Sequence, residues 1–135
     1  MVFVDTGGFY ALLVKTDAKH ADAQRFTREF REKGVRVFTT DYILDETLAL
    51  FKARGLAHLT YRLWQVVDAS EALALHHVGP ERFTKARTYF ERRADHAYSF
   101  TDCTSFILMK EFGATEALTT DRHFQEAGFK ALLAD

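Results

Sequence analysis

Four acidic residues, Asp5, Glu46, Asp102 and Asp121, stand at positions from which they could do chemistry together. Asp5 ends the apolar run Met1-Val2-Phe3-Val4, and Asp121 closes Leu118-Thr119-Thr120-Asp121 just past another apolar run. Glu46 and Asp102 fall early in segments with helical spacing. The helical neighbours of Glu46, three and four positions away, are Tyr42, Ile43, Ala49 and Leu50, so its carboxylate lies on an apolar face and needs a partner. Asp45 is the control: its face carries Asp41 and Lys52 and reads as solvated surface. Carboxylates crowded together repel, and their pKa values rise until some are neutral. A divalent cation resolves that conflict, and all-oxygen donors suit Mg²⁺ or Mn²⁺. The chemistry implied is metal-assisted phosphoryl hydrolysis. Each acid taken singly has a structural alternative. Asp5 and Asp121 could cap helices, Asp102 could complete a capping box with Ser99, and Glu46 could pair with a core Arg.

Convergence depends on the elements that carry these residues. Short apolar runs at 1–4, 35–39, 73–78, 116–119 and 129–133 predict strands. Helical patterns fall at 9–14, 20–33, 41–54, 56–69, 80–93, 101–112 and 122–127, with Thr6, Gly7 and Gly8 expected to form a turn. Strands alternating with helices predict an α/β sandwich around a mostly parallel sheet of four to five strands. In such sheets the working site lies beyond the carboxyl ends of the strands. Asp5 and Asp121 are both expected at that edge, and Glu46 and Asp102 join them if their helices begin there.

Composition narrows the classes. The 18 Lys and Arg balance 19 Asp and Glu, which excludes a histone-like polycation and an acidic solvating tail. At 135 residues one domain spanning 1–135 is expected, with 13 Phe to fill its core. Cys103 is the sole cysteine and cannot form an internal bridge, and no stretch reads as a signal peptide or membrane span, so a cytoplasmic address is expected. The six histidines give no zinc spacing. Thr6-Gly7-Gly8 has neither the Lys of a P-loop nor the spacing of a dinucleotide fingerprint. Asp5 lacks the second Asp, two residues on, of a haloacid-dehalogenase phosphatase. Cys103 lies beside Asp102, whose charge dulls the thiol.

Four segments in order carry a family resemblance: Val4-Asp5-Thr6-Gly7, Thr40-Asp41-Tyr42-Ile43-Leu44-Asp45-Glu46-Thr47, Tyr98-Ser99-Phe100-Thr101-Asp102-Cys103-Thr104-Ser105-Phe106, and Leu118-Thr119-Thr120-Asp121-Arg122-His123-Phe124. The sequence resembles the PIN-domain ribonucleases, and among them the VapC toxins of prokaryotic type II toxin–antitoxin pairs. That resemblance implies a PIN-like three-layer α/β/α sandwich and a Mg²⁺-dependent (or Mn²⁺-dependent) endoribonuclease. Asp5 and Asp102 would be the principal metal ligands, and Glu46 and Asp121 would complete the acidic pocket. Thr6 and Ser99 resemble positions that orient ligands or waters. The reaction implied is hydrolysis of an RNA backbone phosphate, leaving a 5′-phosphate and a 3′-hydroxyl without using the ribose 2′-hydroxyl as nucleophile.

The same resemblance implies structured RNA (tRNA or rRNA) as substrate, inhibition of translation, a homodimer, and a cognate VapB-like antitoxin whose C-terminal segment lies across the active-site groove. Basic side chains near the pocket are expected to bind RNA. Arg82, Lys85 and Arg92, with Tyr89 between them, form one candidate stripe, and Arg122 and His123 flank Asp121. Two alternatives stay open at this level: an RNA-processing PIN nuclease without an antitoxin, and an inactive PIN-like binding module. With four of the 19 acids set in a pocket, 15 remain against 18 bases, so the balanced total is compatible with a modestly basic exterior.

Overall fold

The run Val2–Val4 forms β1, buried on both faces, as its uninterrupted apolar character requires. A computed structural model describes every residue from Met1 to Asp135. In chain order it contains β1, α1 (Thr6–Leu13), α2 (His20–Glu32), β2 (Val37–Thr40), α3 (Asp41–Ala53), α4 (Thr60–Ala69), β3 (Leu73–His76), α5 (Gly79–Arg92), α6 (Phe100–Phe112), β4 (Glu116–Leu118), α7 (His123–Glu126) and β5 (Lys130–Ala131). All five strands are parallel, in the order β3-β2-β1-β4-β5.

This topology fixes where a site belongs. The chain builds outward from β1 through β2 to β3, then returns to the other side of β1 for β4 and β5. The reversal lies between β1 and β4, which pair as Val2–Glu116, Phe3–Ala117 and Val4–Leu118. Asp5 leaves β1 and Thr119 leaves β4 at the same edge of that crevice, the usual ligand position in an open α/β sheet.

Alternation along the strands sends side chains to two helical layers. Phe3 and Phe38 contact each other edge-on at 5.2 Å and meet Phe112 of α6 and Phe124 of α7 on one face. On the opposite face Val4, Val37 and Leu118 line an apolar cavity with Phe9 of α1, Phe30 of α2 and Val66 of α4. The result is the expected α/β/α sandwich, and six of the 13 phenylalanines are wholly buried in it.

Three local differences from the sequence reading have physical reasons. Thr6, Gly7 and Gly8 are the first turn of α1 rather than a turn before it. The glycines are there because β4 passes closely: a Cβ on Gly8 would meet the Leu118 carbonyl oxygen at 2.2 Å, and one on Gly7 would meet Thr120 Oγ1 at 2.8 Å. The single helix expected at 56–69 is instead a 3₁₀ turn, Ala57–Leu59, followed by α4. Gly55, at φ +70°, ends α3, and the Leu56 N–H donates back to the Phe51 carbonyl, so Leu56 closes the previous helix and starts no new one. Strand β5 holds only two residues of the expected five, because the chain turns after Ala131.

Candidate metal centre

All four acids reach the carboxyl edge of the sheet. Asp5 follows β1 in an extended conformation and is 5% exposed. It makes no side-chain cap to α1; its Oδ2 accepts a 2.7 Å hydrogen bond from Thr119 Oγ1 at the end of β4. Glu46 projects from α3, whose first turn is capped by Thr40 accepting from the Ile43 N–H. No Arg pairs with it. Glu46 Oε1 accepts a 2.6 Å bond from Thr6 Oγ1, the first residue of α1. Asp45 is exposed, as its face predicted.

Asp102 sits in the first turn of α6, and its capping box with Ser99 is present. Ser99 Oγ accepts from the Asp102 N–H at 3.0 Å and Asp102 Oδ2 accepts from the Ser99 N–H at 3.1 Å. Structural alternative and site position therefore coincide in one residue. Asp121 is not the N-cap of α7, a place taken by Arg122, but its Oδ1 accepts the His123 N–H at 2.9 Å. His123 was expected to bind RNA beside the pocket, but the structure places its ring inside it. Nδ1 lies 3.1 Å from Asp102 Oδ2 and 3.4 Å from Asp121 Oδ1.

A common pattern emerges at the atoms. Asp5, Glu46, Asp102 and Asp121 each have one carboxylate oxygen held by an internal hydrogen bond, while the second oxygen has no partner within the protein. No unpartnered side-chain oxygen is sealed from solvent, so all four free oxygens can be reached. The charge is poorly compensated. Burial, reinforced by Glu46 and Asp102, raises the Asp5 carboxyl to about 7 despite the hydrogen bond from Thr119 and the nearby Thr6 N–H. Burial also raises Glu46, with Asp102 and Asp121 adding repulsion. Asp102 rises for the same first reason, with Asp121 reinforcing it, while the Ser99 N–H and His123 pull the other way. Partial burial lowers the His123 imidazolium, but its bond to Asp102 and the charges of Asp121 and Asp102 outweigh this and raise it. Of the basic side chains, only His123 forms ion pairs with these acids.

Such a donor set fits a hard divalent cation: free carboxylate oxygens, excess negative charge and raised carboxyl pKa values. Single donor atoms of Asp102, Asp121 and His123 already lie within 4.8 Å of one another. Asp5 and Glu46 lie outside that close group; Asp5 is linked to it by Thr119, whose Oγ1 also accepts the Asp121 N–H at 3.0 Å. Thr119 was not singled out from the sequence. Its signal was the Thr-x-Asp spacing, which lets a hydroxyl accept a backbone N–H two residues on. Thr6 Oγ1 donates to Glu46, and Ser99 meets Asp102 through both its N–H and its hydroxyl.

The basic stripe on α5 is only partly as expected. Arg82 is committed to Glu111, near the far end of α6, and to the His77 carbonyl. Nine residues of α6 separate Glu111 from Asp102, about 14 Å along the axis, so Arg82 points away from the acids. Tyr89 does not stand between exposed cations; its ring packs on Tyr98 and Phe106 beneath Arg93 and Lys110. Lys85, Arg92 and Arg122 are exposed and form no ion pair. Cys103 is fully buried, and burial together with Asp102 pushes its thiol up to about 11, so it is an inert core residue.

Comparisons with known proteins agree with this fold. The chain is 32% identical over 129 residues to the 23S rRNA-specific endonuclease VapC20 of Mycobacterium tuberculosis, covering 96% of this chain and 95% of that protein. It is 30% identical over 110 residues to a VapC ribonuclease of Archaeoglobus fulgidus, covering 80% of this chain and 69% of the other. The crystal structure of M. tuberculosis VapC20, described as a sarcin–ricin loop cleaving toxin, superposes with a TM-score of 0.84 at 29% identity over 96% of both chains. The PIN domain profile matches residues 2–130, and with its carboxylates gathered at the β1–β4 crevice the chain belongs to the PIN-domain family.

Proposed function

We propose that this protein is a VapC-type endoribonuclease toxin that hydrolyses structured ribosomal RNA with a divalent cation, Mg²⁺ by preference to Mn²⁺ in the cell, held by Asp5, Glu46, Asp102 and Asp121. One observation carries the assignment: four carboxylates at the topological switch point each present one free oxygen to solvent. The likeness to a 23S rRNA-specific endonuclease over nearly the whole chain supports the large-subunit sarcin–ricin loop as substrate. Residues 1–135 act as one catalytic domain. The protein works as a cytoplasmic homodimer restrained by a VapB-like antitoxin; no helix is long and apolar enough to cross a membrane.

The chain's own residues divide the work. Thr119 holds Asp5 by Oδ2 and Thr6 holds Glu46 by Oε1, so the opposite oxygens are oriented before any ligand arrives. The capping box does the same for Asp102. Burial of Asp5 raises its carboxyl to about 7, so this residue would hold a cation only as the deprotonated carboxylate, in competition with a proton. When bound, the cation supplies charge to the phosphate oxygens and activates water for phosphodiester hydrolysis. Exposed Lys85, Arg92 and Arg122 are available for backbone phosphates, and the fold of the RNA loop supplies selectivity.

The test is purified, partner-free protein incubated with 23S rRNA and with an oligonucleotide carrying the sarcin–ricin loop. Expected is one Mg²⁺-dependent cut leaving a 5′-phosphate, abolished by EDTA and by Asp102→Asn in a folded protein. Cleavage that persists in EDTA, or full activity in Asp102→Asn, would remove the metal mechanism. Cleavage of tRNA with the ribosomal loop left intact would instead overturn the substrate.

A further inference from the structure

We propose that His123 is itself a ligand of the catalytic cation, giving the site one nitrogen donor among its carboxylate oxygens and a preference for Mn²⁺ over Mg²⁺ in binding strength. This rests on the metal-dependent assignment above and goes beyond it, because that assignment uses oxygen donors alone.

The geometry points to it in three ways. Two donors in adjacent positions on an octahedral ion lie √2 bond lengths apart, about 3 Å for bonds of roughly 2.1 Å. Nδ1 of His123 lies 3.1 Å from Asp102 Oδ2 and 3.4 Å from Asp121 Oδ1, so a hydrogen-bonded spacing without the ion is already close to a ligand spacing with it. Next, each of those oxygens, although held by a backbone N–H, keeps a second lone pair, so each carboxylate can offer it to the ion beside its free oxygen. Asp102 Oδ2 accepts one backbone N–H, from Ser99, and Asp121 Oδ1 accepts one, from His123. Finally, the imidazole is aimed by its surroundings. Its ring packs edge-on against Tyr98 at 5.7 Å, and Tyr98 is itself fixed by Phe106 at 5.1 Å. The backbone of His123 is tied to Asp121, and Nδ1 has no acceptor other than the two carboxylates. An imidazole serving only to contact RNA has no need to be turned inward between two acids.

The chemical consequence follows from ligand type. Mg²⁺ takes oxygen donors and resists nitrogen, whereas first-row transition ions accept imidazole readily. Exchanging one water or carboxylate for His123 therefore favours Mn²⁺ over Mg²⁺, although the more abundant Mg²⁺ can still fill the site.

Pulsed EPR on the full-length, partner-free protein loaded with one equivalent of Mn²⁺ reads this directly. The expected signal is ¹⁴N modulation of a directly bound imidazole, lost in His123→Gln. Calorimetric titrations of the same two proteins should show Mn²⁺ affinity falling about tenfold or more in the variant, with Mg²⁺ affinity changing much less. Mn²⁺ uptake without nitrogen coupling overturns the His123 proposal and leaves the carboxylate site standing. Nitrogen coupling that survives in His123→Gln also overturns it. Absence of Mn²⁺ uptake by folded wild-type protein overturns both.

Discussion

The acidic pocket has a floor and a rim, and the two are built differently. On the floor, Asp5 and Glu46 are held by threonine hydroxyls from distant parts of the chain: Thr119 is 114 residues from Asp5, and Thr6 is 40 from Glu46. At the rim, Asp102 and Asp121 are held by backbone N–H groups three and two residues away, with His123 bridging them. On the floor Asp5 is 5% exposed and its carboxyl is raised to about 7, while at the rim the Asp121 side chain is 37% exposed. Geometry at the rim thus comes from local turns that form with the helix, whereas geometry at the floor exists only when β1, β4, α1 and α3 have assembled. The floor should be where function and stability oppose each other most strongly.

Asp5→Asn should break that opposition most visibly. Loss of a principal donor is expected to lower kcat/KM about a thousandfold, the size of the several kcal/mol a metal ion contributes to the transition state. Stability should move the other way. A carboxyl whose folded pKa lies above its unfolded value contributes full stability below pH 3.8 and loses it as pH rises toward 7. Metal-free wild type should therefore weaken across that window. In EDTA at pH 7 the Asn variant should melt higher, by an amount on the order of 4 kcal/mol in free energy. Equal melting temperatures at pH 7 would show that the floor is not strained by its own charge.

Thr119→Val tests the floor's long-range support without touching a carboxylate. It removes the donor to Asp5 Oδ2 and the acceptor of the Asp121 N–H. Metal affinity should fall about 10- to 100-fold, as when a group that orients a metal ligand is removed. Ser99→Ala is the matching change at the rim. It should cost about 1 kcal/mol of stability through the lost helix cap, with a smaller loss of metal affinity than Thr119→Val, because the Ser99 N–H still holds Asp102 Oδ2. A larger affinity loss in Ser99→Ala would reverse the assignment of floor and rim. Asp45→Asn, on the solvated face of α3, should change neither stability nor cleavage measurably.

The division between floor and rim also explains what the sequence revealed. Strand positions, helix order and the four acids were legible because apolar runs, capping residues and glycine stops are local signals. Ser99 and Asp102 could be paired on paper because three residues separate them. The role of Thr119 could not, since nothing near it in sequence points to Asp5; only the β1–β4 pairing brings them together. His123 looked like a surface cation beside Asp121, and its inward turn depends on packing against Tyr98. The α5 stripe failed at Arg82 and Tyr89 because helical spacing predicts a shared face but not which side chains the neighbouring α6 engages. Gly7 and Gly8 read as a turn because their actual reason, the passage of β4 within 2.2 Å of a Cβ that glycine lacks, is tertiary.

The central claim is that the floor and rim carboxylates surround one cation. Anomalous diffraction from crystals grown with Mn²⁺ tests it most directly. A Mn²⁺ peak is expected at the carboxyl edge of β1 and β4, within about 2.3 Å of oxygens from Asp5 and Asp102, with Glu46 and Asp121 on the ion or its waters. A crevice without a peak at saturating Mn²⁺, or a peak bound away from Asp5, would contradict it.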